Sequence, residues 1–235
     1  AVDMSLTTPE TKPLIEAIDA AWSADIVMCA ATGNAYPPQV DRIVGFPARH
    51  RSVIGVGASD RDDVRKTVAG KGGEQWSSRY GAGIDVVAPG VGLFTADERG
   101  VAGWNPTKAV ADADPARRWW NGVHMPSMGD AAGDFLGVFG GTSGATPHVA
   151  GLAALLRARH TGLTAAEVRH VIEATCARIG ADHRDHPERL GAPDWDIEVG
   201  CGRIDVAAAI VRSDRPIGPV PAAVPDPDPC EEGDR

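Results

Sequence analysis

The stretch from Gly140 to His160, GGTSGATPHVAGLAALLRARH, constrains the fold more than any other part of the sequence. Its first half is rich in glycine, threonine and serine and predicts a sharp turn. Its second half is apolar at helical spacing and predicts a buried helix, with Pro147 accommodated in the first turn. Ser143 should therefore lie at the helix N-terminus, where unpaired N–H groups and the helix dipole stabilise negative charge. The positions expected on or near the apolar face are Val149, Leu152, Ala153, Leu156 and Ala158.

Two interpretations of this turn are open from the residues alone. Either Thr142 or Ser143 simply caps the helix, or Ser143 is an acyl-transfer nucleophile beside the N–H groups that stabilise charge. The run GTSGATPHVAG resembles the catalytic-serine motif of the subtilisin-like serine peptidases, G-T-S-x-A-x-P-H-V-A-G, with Gly144 in the slot where these enzymes commonly carry Met. The resemblance implies a serine endopeptidase that hydrolyses peptide bonds of a polypeptide substrate through an acyl-enzyme on Ser143 and requires no cofactor.

Composition narrows the class of protein. The chain has 235 residues and a net charge of -9, which suits one α/β domain with or without a tail and argues against a nucleic-acid partner. No apolar run is long enough to span a bilayer, and the chain does not open on a signal sequence, so we expect a soluble segment. Cys29 lies in an apolar run and is interpreted as a small buried residue. A disulfide between Cys176 and Cys201 is possible but not favoured, and Cys230 is expected to be unpaired.

The first thirty-five residues predict a parallel strand–helix–strand unit. Ala1–Leu6 is interpreted as a strand end, a helix follows from Pro13, and the apolar run Ile26–Ala31 predicts a strand buried on both faces. That strand ends in ATGN, at the edge where open parallel sheets bind ligands. An Asn after Gly33 is often only a turn residue. The segments VDMSL and VMCAATGN resemble the subtilase pattern, however, and Asn34 matches the position whose side chain donates to the oxyanion in that family.

The segment GFPARHRSVIGVGASD, with a strand predicted over Ser52–Ala58, also resembles subtilases. The resemblance implies that Gly45, Phe46 and Pro47 form a wall of the pocket for the residue before the scissile bond, opposite Ser5 and Leu6. Thr7 stands where the family usually has Gly, so its side chain is expected to narrow the approach of an extended substrate. The implied substrate-binding residues are Ser5, Leu6, Thr32, Gly33, Gly45, Phe46, Pro47 and Thr142.

The family often has a weak structural cation site, for Ca²⁺ or Na⁺, on backbone carbonyls of this loop. By resemblance it would fall near Ala48, His50 and Val53. Carbonyl ligands leave no side-chain pattern, and no metal-binding side chains are predicted.

The match continues through WSSRYGAGIDVVAPG, where Ile84–Ala88 predicts a short buried strand. Residues 95–139 then form an insertion that the family does not predict. Its tryptophans indicate an ordered loop that walls the cleft or covers a partner surface. The residues that single it out are Trp104, Trp119, Trp120 and His124.

Beyond the serine helix, Leu163–Ala177 predicts a second helix, with Thr164 as N-cap and Glu167 completing a capping box. The acidic and histidine-rich stretch Asp182–Asp196 is interpreted as a solvated loop, since its spacing fits no zinc or EF-hand template. The run VGCGRIDVAAAI resembles the closing segment of the subtilase domain. We therefore expect a domain over residues 1–212 and a Pro-rich, polyproline-like, disordered tail over 213–235.

The resemblance implies an α/β three-layer sandwich around a mostly parallel sheet, incomplete at the N-terminus. The subtilase motifs that carry the catalytic Asp and His do not occur in the sequence. His148 belongs to the serine motif and is expected to be structural, while His124 lacks an orienting carboxylate at a recognisable spacing. We expect the catalytic Asp and His on an N-terminal segment upstream, in a peptidase that is secreted or held in the cell envelope by family resemblance. The alternative is a catalytically incomplete, subtilase-like binding or structural module.

Overall fold

The computed structural model describes residues 1–70, 74–97, 119–120, 123–124, 134–180, 195–218 and 220. Its strands are β1 (Val2–Met4), β2 (Met28–Ala31), β3 (Asn34–Ala35), β4 (Ile54–Ser59), β5 (Ser77–Ser78), β6 (Val86–Pro89), β7 (Leu93–Ala96), β8 (Trp119–Trp120), β9 (Val123–His124) and β10 (Phe135–Phe139). Its helices are α1 (Lys12–Ser23), α2 (Thr142–Arg159), α3 (Ala165–Ala174) and α4 (Val206–Ser213).

Four parallel strands form the centre of the fold, in the order β1-β2-β4-β6. β2 and β4 are buried along their whole length, as expected for strands covered on both faces. Ile26, which the apolar run placed in β2, is instead exposed and precedes the strand. The other strands predicted in this sheet are present with ends shifted by one or two residues.

Two apolar cores lie on opposite sides of the sheet. Val56 and Val86 pack on one side with residues of α2, α3 and α4, and Ala30 and Val87 pack on the other with Ile18 of α1. This alternation along the strands produces three layers, with helices on both faces of a parallel sheet. The α/β sandwich that the sequence predicts is thus confirmed.

Helix α2 crosses the sheet and contacts all four parallel strands. Val149, Leu152 and Leu156 are buried as predicted, but Ala158 is exposed, so its assignment to the inner face was wrong. Pro147 is also placed differently from the prediction, because the helix already begins at Thr142 and the proline lies inside it. The glycine-rich turn is shorter than the sequence suggested.

The capping box at the start of α3 is confirmed. The Thr164 hydroxyl accepts a hydrogen bond from Glu167 N at 3.2 Å, and the Glu167 carboxylate accepts one from Thr164 N at 2.8 Å. The helix itself is shorter at both ends than the segment predicted from the sequence, beginning at Ala165 and ending at Ala174.

An ion pair joins α3 to the sheet. Arg169 Nη2 donates to Asp85 Oδ1 at 2.6 Å, and Asp85 Oδ2 accepts from Gly55 N at 2.7 Å, with the Asp85 side chain only 1% exposed. Desolvation alone would lower the pKa of the Arg169 guanidinium, but Asp85 and Glu173 together hold that pKa above its ordinary value. The guanidinium therefore stays charged and compensates a buried carboxylate.

The surroundings of Gly55 show how tightly β4 is enclosed. A Cβ at this position would lie 2.2 Å from the Gly83 carbonyl oxygen and 2.9 Å from that of Ala48, both backbone atoms. We expect Gly55→Ala to lower the free energy of unfolding by about 3 kcal/mol, because backbone on both sides must shift. The measurement is urea unfolding followed by circular dichroism.

Gly151 on α2 is the matched control for this substitution. It is exposed, and a Cβ there would have no neighbour within 4 Å. Gly151→Ala should therefore raise the free energy of unfolding by about 0.5–1 kcal/mol. Equal effects of the two substitutions would contradict the close enclosure of β4.

Several expectations fall on residues that the structure does not describe. They concern Trp104 and most of the insertion, the side chains of Trp119, Trp120 and His124, the stretch 181–194, and residues 221–235 with Cys230. At the edge of that stretch Asp196 is described and is buried, which corrects its assignment to a solvated loop. Its Oδ1 accepts from Glu198 N and Val199 N and so closes a turn.

The structure also describes three of the four cysteines and the end of the last helix. Cys176 and Cys201 are not joined to each other, so the disulfide that the sequence left open is not formed. Cys29 is fully buried, as predicted. The last helix ends at Ser213, and Ile217 still packs against the core beyond it.

Candidate active site

The candidate site lies where β1 and β2 end and α2 begins. Ser5 follows β1, Asn34 follows β2, and Ser143 is the second residue of α2. Ser143 Oγ donates to the Ser5 carbonyl at 3.0 Å. Ser5 Oγ lies 2.9 Å from the Ser143 carbonyl and 3.0 Å from Asp3 Oδ1, and donates to one of them. Ser143 is half-buried and stands at the carboxyl edge of the parallel sheet, where such folds place their ligands.

Pro147 explains the contact with Ser5. In an α-helix the N–H of residue 147 would donate to the carbonyl of residue 143, but proline has no N–H. The Ser143 carbonyl is thereby left without its helical partner, and the Ser5 hydroxyl lies within hydrogen-bond distance of it instead. The proline within the helix thus links the serine to a segment far away in the sequence.

Asn34 is fixed by Thr142. Its Oδ1 accepts from Thr142 N at 3.0 Å and from Thr142 Oγ1 at 2.9 Å, while Thr142 Oγ1 accepts from Gly33 N at 3.2 Å. Because Oδ1 takes both bonds, the Nδ2 donor is directed away from Thr142. The described residues include no acceptor for Nδ2.

The space beside Gly141 is where two donors converge. A Cβ on this glycine would lie 3.0 Å from Asn34 Nδ2 and 3.6 Å from Ser143 N, and the glycine has a φ of 103° that side chains rarely adopt. Ser143 N is one of the unpaired N–H groups at the start of α2. An oxygen atom that carries negative charge would therefore meet an amide donor and a backbone donor next to a serine hydroxyl.

Three backbone segments border this space. Gly45 N donates to the Thr32 carbonyl at 2.8 Å, and Thr8 N donates to the Phe46 carbonyl at 2.9 Å, so the segments at residues 5–8, 32–34 and 45–47 are joined. Leu6 is half exposed on the outside of this group. Phe46 and Pro47 are buried, with the Phe46 ring in the core behind the loop. The structure thus brings the predicted wall residues together, with the Phe46 ring packed into the core.

An antiparallel ribbon of β7 and β10 leads into the serine turn. Leu93 and Phe139 of this ribbon lie against Gly144, where a Cβ would be 2.7 Å from Leu93 Cδ1 and 3.3 Å from Phe139 Cε1. Farther along the ribbon, the exposed rings of Phe94 and Phe135 stack with centroids 5.7 Å apart. The residue that departs from the family motif is therefore covered by two side chains that flank the insertion.

Histidine does not complete the site within the described residues. His148 Nδ1 contacts the Gly144 carbonyl of its own helix at 2.9 Å, His50 faces Asp19, and His160 faces Asp214. Among the histidines whose side chains are described, none forms a hydrogen bond with Ser143. The hydroxyl is therefore positioned, but its proton has no base in this part of the chain.

The loop at Ala48, His50 and Val53 fits a cation poorly. The His50 carbonyl accepts from Val53 N at 2.8 Å, and the Val53 carbonyl accepts from Arg169 Nη1 at 3.3 Å. A cation would share the second oxygen with a guanidinium, which carries the same charge. Elsewhere in the described ranges no three His, Cys, Asp or Glu side chains are grouped to hold a metal ion.

The sequence did not reveal a buried charged cluster near the serine turn. Lys66 is fully buried, and its Nζ donates to the carbonyls of Thr67, Glu74 and Trp76 at 2.6, 3.1 and 2.9 Å. Burial lowers the pKa of Lys66 and raises the pKa of Glu74, and the charge of each opposes the shift of the other. Trp76 Nε1 donates to the Glu74 carboxylate, which lies 3.2 Å from the point that a Cβ on Gly140 would occupy. Nothing in the pattern around these residues distinguishes them from exposed ones.

Fold and site together define an α/β protein in which a serine at a helix N-terminus adjoins two donors suited to an oxyanion. The sequence profile of the subtilase family matches residues 2–202. The chain therefore belongs to the subtilase family.

Curated relatives agree with this membership. The chain is 30% identical over 165 residues to alkaline elastase YaB of Bacillus sp. strain YaB, covering 70% of this chain and 31% of the relative. It is 29% identical over 180 residues to subtilisin DY of Bacillus licheniformis, covering 76% and 50%, and 31% identical over 180 residues to subtilisin E of Bacillus subtilis strain 168, covering 76% and 36%. The chain thus spans between about a third and a half of the length of these relatives.

Solved structures show the same fold. A serine protease of Aeromonas sobria superimposes with a TM-score of 0.68 at 20% identity, over 93% of this chain and 44% of that one. The subtilisin-like protease Apa1 from the Antarctic Pseudoalteromonas sp. AS-11 gives 0.59 at 19% identity, over 88% and 69%. Within the described residues, no helix combines the length and the apolar character needed to cross a membrane.

Proposed function

We propose that this chain is the part of a serine endopeptidase that carries the nucleophile and the oxyanion donors. Ser143 Oγ attacks the carbonyl carbon of a peptide bond, and the carbonyl oxygen becomes an anion bound by Asn34 Nδ2 and Ser143 N. The observation that carries the proposal is the convergence of these two donors on the space beside Gly141, next to the Ser143 hydroxyl. Donors that are held in place before the reaction stabilise the charge without reorganising.

The proposed substrate is an extended polypeptide that binds along the segment after β1. The Leu6 carbonyl accepts no hydrogen bond from the described residues, so it can pair with the backbone of a peptide that binds like an added strand. Thr142 acts indirectly, since its hydroxyl fixes Asn34 and contacts Gly33. Thr32, Phe46 and Pro47 support the wall from behind.

The proposed base lies on a further segment of the protein. A serine hydroxyl needs a histidine to take its proton and a carboxylate to hold that histidine in the right tautomer. Support comes from His50, His148 and His160, which contact groups other than Ser143, and from relatives that are two to three times as long as the matched region. By the same family relationship we propose that the protein acts outside the cytoplasm.

Labelling with a fluorophosphonate tests the nucleophile. Such probes add one phosphonyl group to an activated serine, so the protein that includes the segment carrying the base should show a single adduct by intact mass, and its Ser143→Ala variant should show none. Ser23→Ala, which alters an exposed serine at the end of α1, is the matched control and should be labelled like the native protein. An adduct that persists on Ser143→Ala would contradict the proposal.

One observation favours the alternative of a binding or structural module without activity. Ser143 and Ser5 are held to each other by side-chain and backbone contacts, an arrangement that is stable without any chemistry. A folded protein that gives no adduct under the same conditions would support this alternative.

A further inference from the structure

We propose that the pocket beside Ser143, on the acyl side of the scissile bond, selects a short side chain that ends in a carboxylate. This inference rests on the proposed function and adds a substrate class to it. Two residues carry it: Thr7 limits the room in the pocket, and Arg79 places a positive charge at its wall.

The methyl group of Thr7 fills the space between two glycines. A Cβ on Gly45 would lie 2.6 Å from Thr7 Cγ2, and a Cβ on Gly33 would lie 3.1 Å from the same atom. Gly33 directly precedes Asn34, and Gly45 N is bonded to the Thr32 carbonyl, so the methyl group lies between the two walls next to the oxyanion donors. A large aromatic side chain would have to displace it.

Arg79 borders the same pocket. Its backbone N donates to the Gly33 carbonyl at 2.9 Å, and its Cδ and Nε lie 3.0 and 3.5 Å from the point that a Cβ on Gly33 would occupy. Nε is buried, and the described residues offer no hydrogen-bond acceptor for it. A buried N–H of a charged group without an acceptor is unfavourable, and a bound anion would relieve that cost.

Arg79 forms no ion pair with a carboxylate of the described residues, although the chain has a net charge of -9. The acidic groups on neighbouring segments are already paired: Asp41 with Arg65 and Glu10 with Arg49. Six other arginines each have a carboxylate within ion-pair distance, namely Arg49, Arg65, Arg157, Arg159, Arg169 and Arg203. A substrate carboxylate matches the planar donors of the Arg79 guanidinium, whose Nε has no acceptor among the described residues.

Peptide binding to the Ser143→Ala protein tests the charge without requiring catalysis. The probes are blocked tripeptides that end in aspartate amide or asparagine amide and differ only in charge at the last side chain. Calorimetric titration should show about tenfold tighter binding of the aspartate peptide, as expected for one charge-assisted hydrogen bond. When Arg79→Gln is added to Ser143→Ala, the preference for the aspartate peptide should disappear. When Arg79→Lys is added instead, the positive charge is kept and part of the preference should persist.

The limit that Thr7 sets on the size of the bound side chain can be tested separately. Thr7→Ser removes only the methyl group and should strengthen binding of a tripeptide that ends in phenylalanine amide by about tenfold, close to the effect of a few buried methylene groups. Thr7→Val keeps a methyl group at the same place and should show no gain. Thermal unfolding of each variant verifies that the fold is retained.

Three results would overturn the inference: equal affinity for the aspartate and asparagine peptides, a preference that survives Arg79→Gln, or no binding of either peptide. These results do not depend on an activated serine. Failure of fluorophosphonate labelling would refute the proposed peptidase activity, whereas failure of the peptide titrations would refute only the selectivity of the pocket.

Discussion

Replacement of Asn34 with Leu is expected to slow the labelling of Ser143 by about 10²–10³-fold, which is the magnitude known for the loss of the oxyanion donor in a subtilisin itself. The physical reason is that Asn34 Nδ2 is one of the two donors beside Gly141, and no other described side chain replaces it. Phosphonylation develops the same negative charge on oxygen as peptide attack. The rate constant of fluorophosphonate labelling is therefore the quantity to measure, together with peptide hydrolysis.

Asn34 also accepts hydrogen bonds from Thr142, so a control must separate this contact from the donation by Nδ2. Its Oδ1 holds Thr142, and Leu removes this acceptor as well as the donor. Asn34→Asp keeps the acceptor, removes the donor and adds a negative charge, and should be at least as slow as Asn34→Leu. Labelling of Asn34→Asp at the native rate would show that Nδ2 does not contact the oxyanion.

Removal of the Arg169 side chain is expected to destabilise the fold at least as much as Gly55→Ala. Arg169→Ala leaves the Asp85 carboxylate charged and buried at 1% exposure, which should lower the free energy of unfolding by about 3–5 kcal/mol. The native bond between Asp85 and Gly55 N remains but supplies no charge compensation. Urea unfolding at neutral pH measures the loss.

The double variant Arg169→Ala with Asp85→Asn distinguishes a charge effect from lost packing. The amide that replaces the carboxylate would be neutral and could still accept from Gly55 N, so the pair of substitutions should cost clearly less than Arg169→Ala alone. A loss below about 1 kcal/mol for Arg169→Ala, the range of an exposed ion pair, would mean that water reaches Asp85.

The order of the four central strands and of α1 to α3 could be predicted from the sequence because it follows from local pattern, whereas the short strands and α4 were not predicted. Buried parallel strands appear as continuous apolar runs, and the Thr164 and Glu167 pair specifies a helix start over three residues. Both were predicted and both are present. Ala158 was misplaced because α2 also carries apolar residues on its exposed side, such as Leu155, so its sequence gives no sharp apolar stripe.

The candidate active site could be predicted from the sequence only in part. The positions of Ser143 and Asn34 came from motif resemblance, but their orientation depends on contacts between segments 108 to 138 residues apart, which no local pattern encodes. The sequence shows Thr7 as a departure from the family pattern, whereas nothing in it indicates that Arg79 lies beside Gly33. Its neighbour Gly33 is joined to it by a backbone bond between strand ends, and such a pairing is set by the sheet as a whole.

The missing N–H of Pro147 has a mechanical consequence. An unbroken helix would hold its first turn by its own ladder of bonds, and the serine would then be aligned by the helix alone. In α2 the hydrogen bond from residue 147 to the Ser143 carbonyl is missing. The Ser5 hydroxyl, in the segment after β1, lies within hydrogen-bond distance of that carbonyl instead. A shift of that segment would therefore move the Ser143 carbonyl directly. The alignment of Ser143 thus depends on the position of the strand against which the proposed peptide would lie.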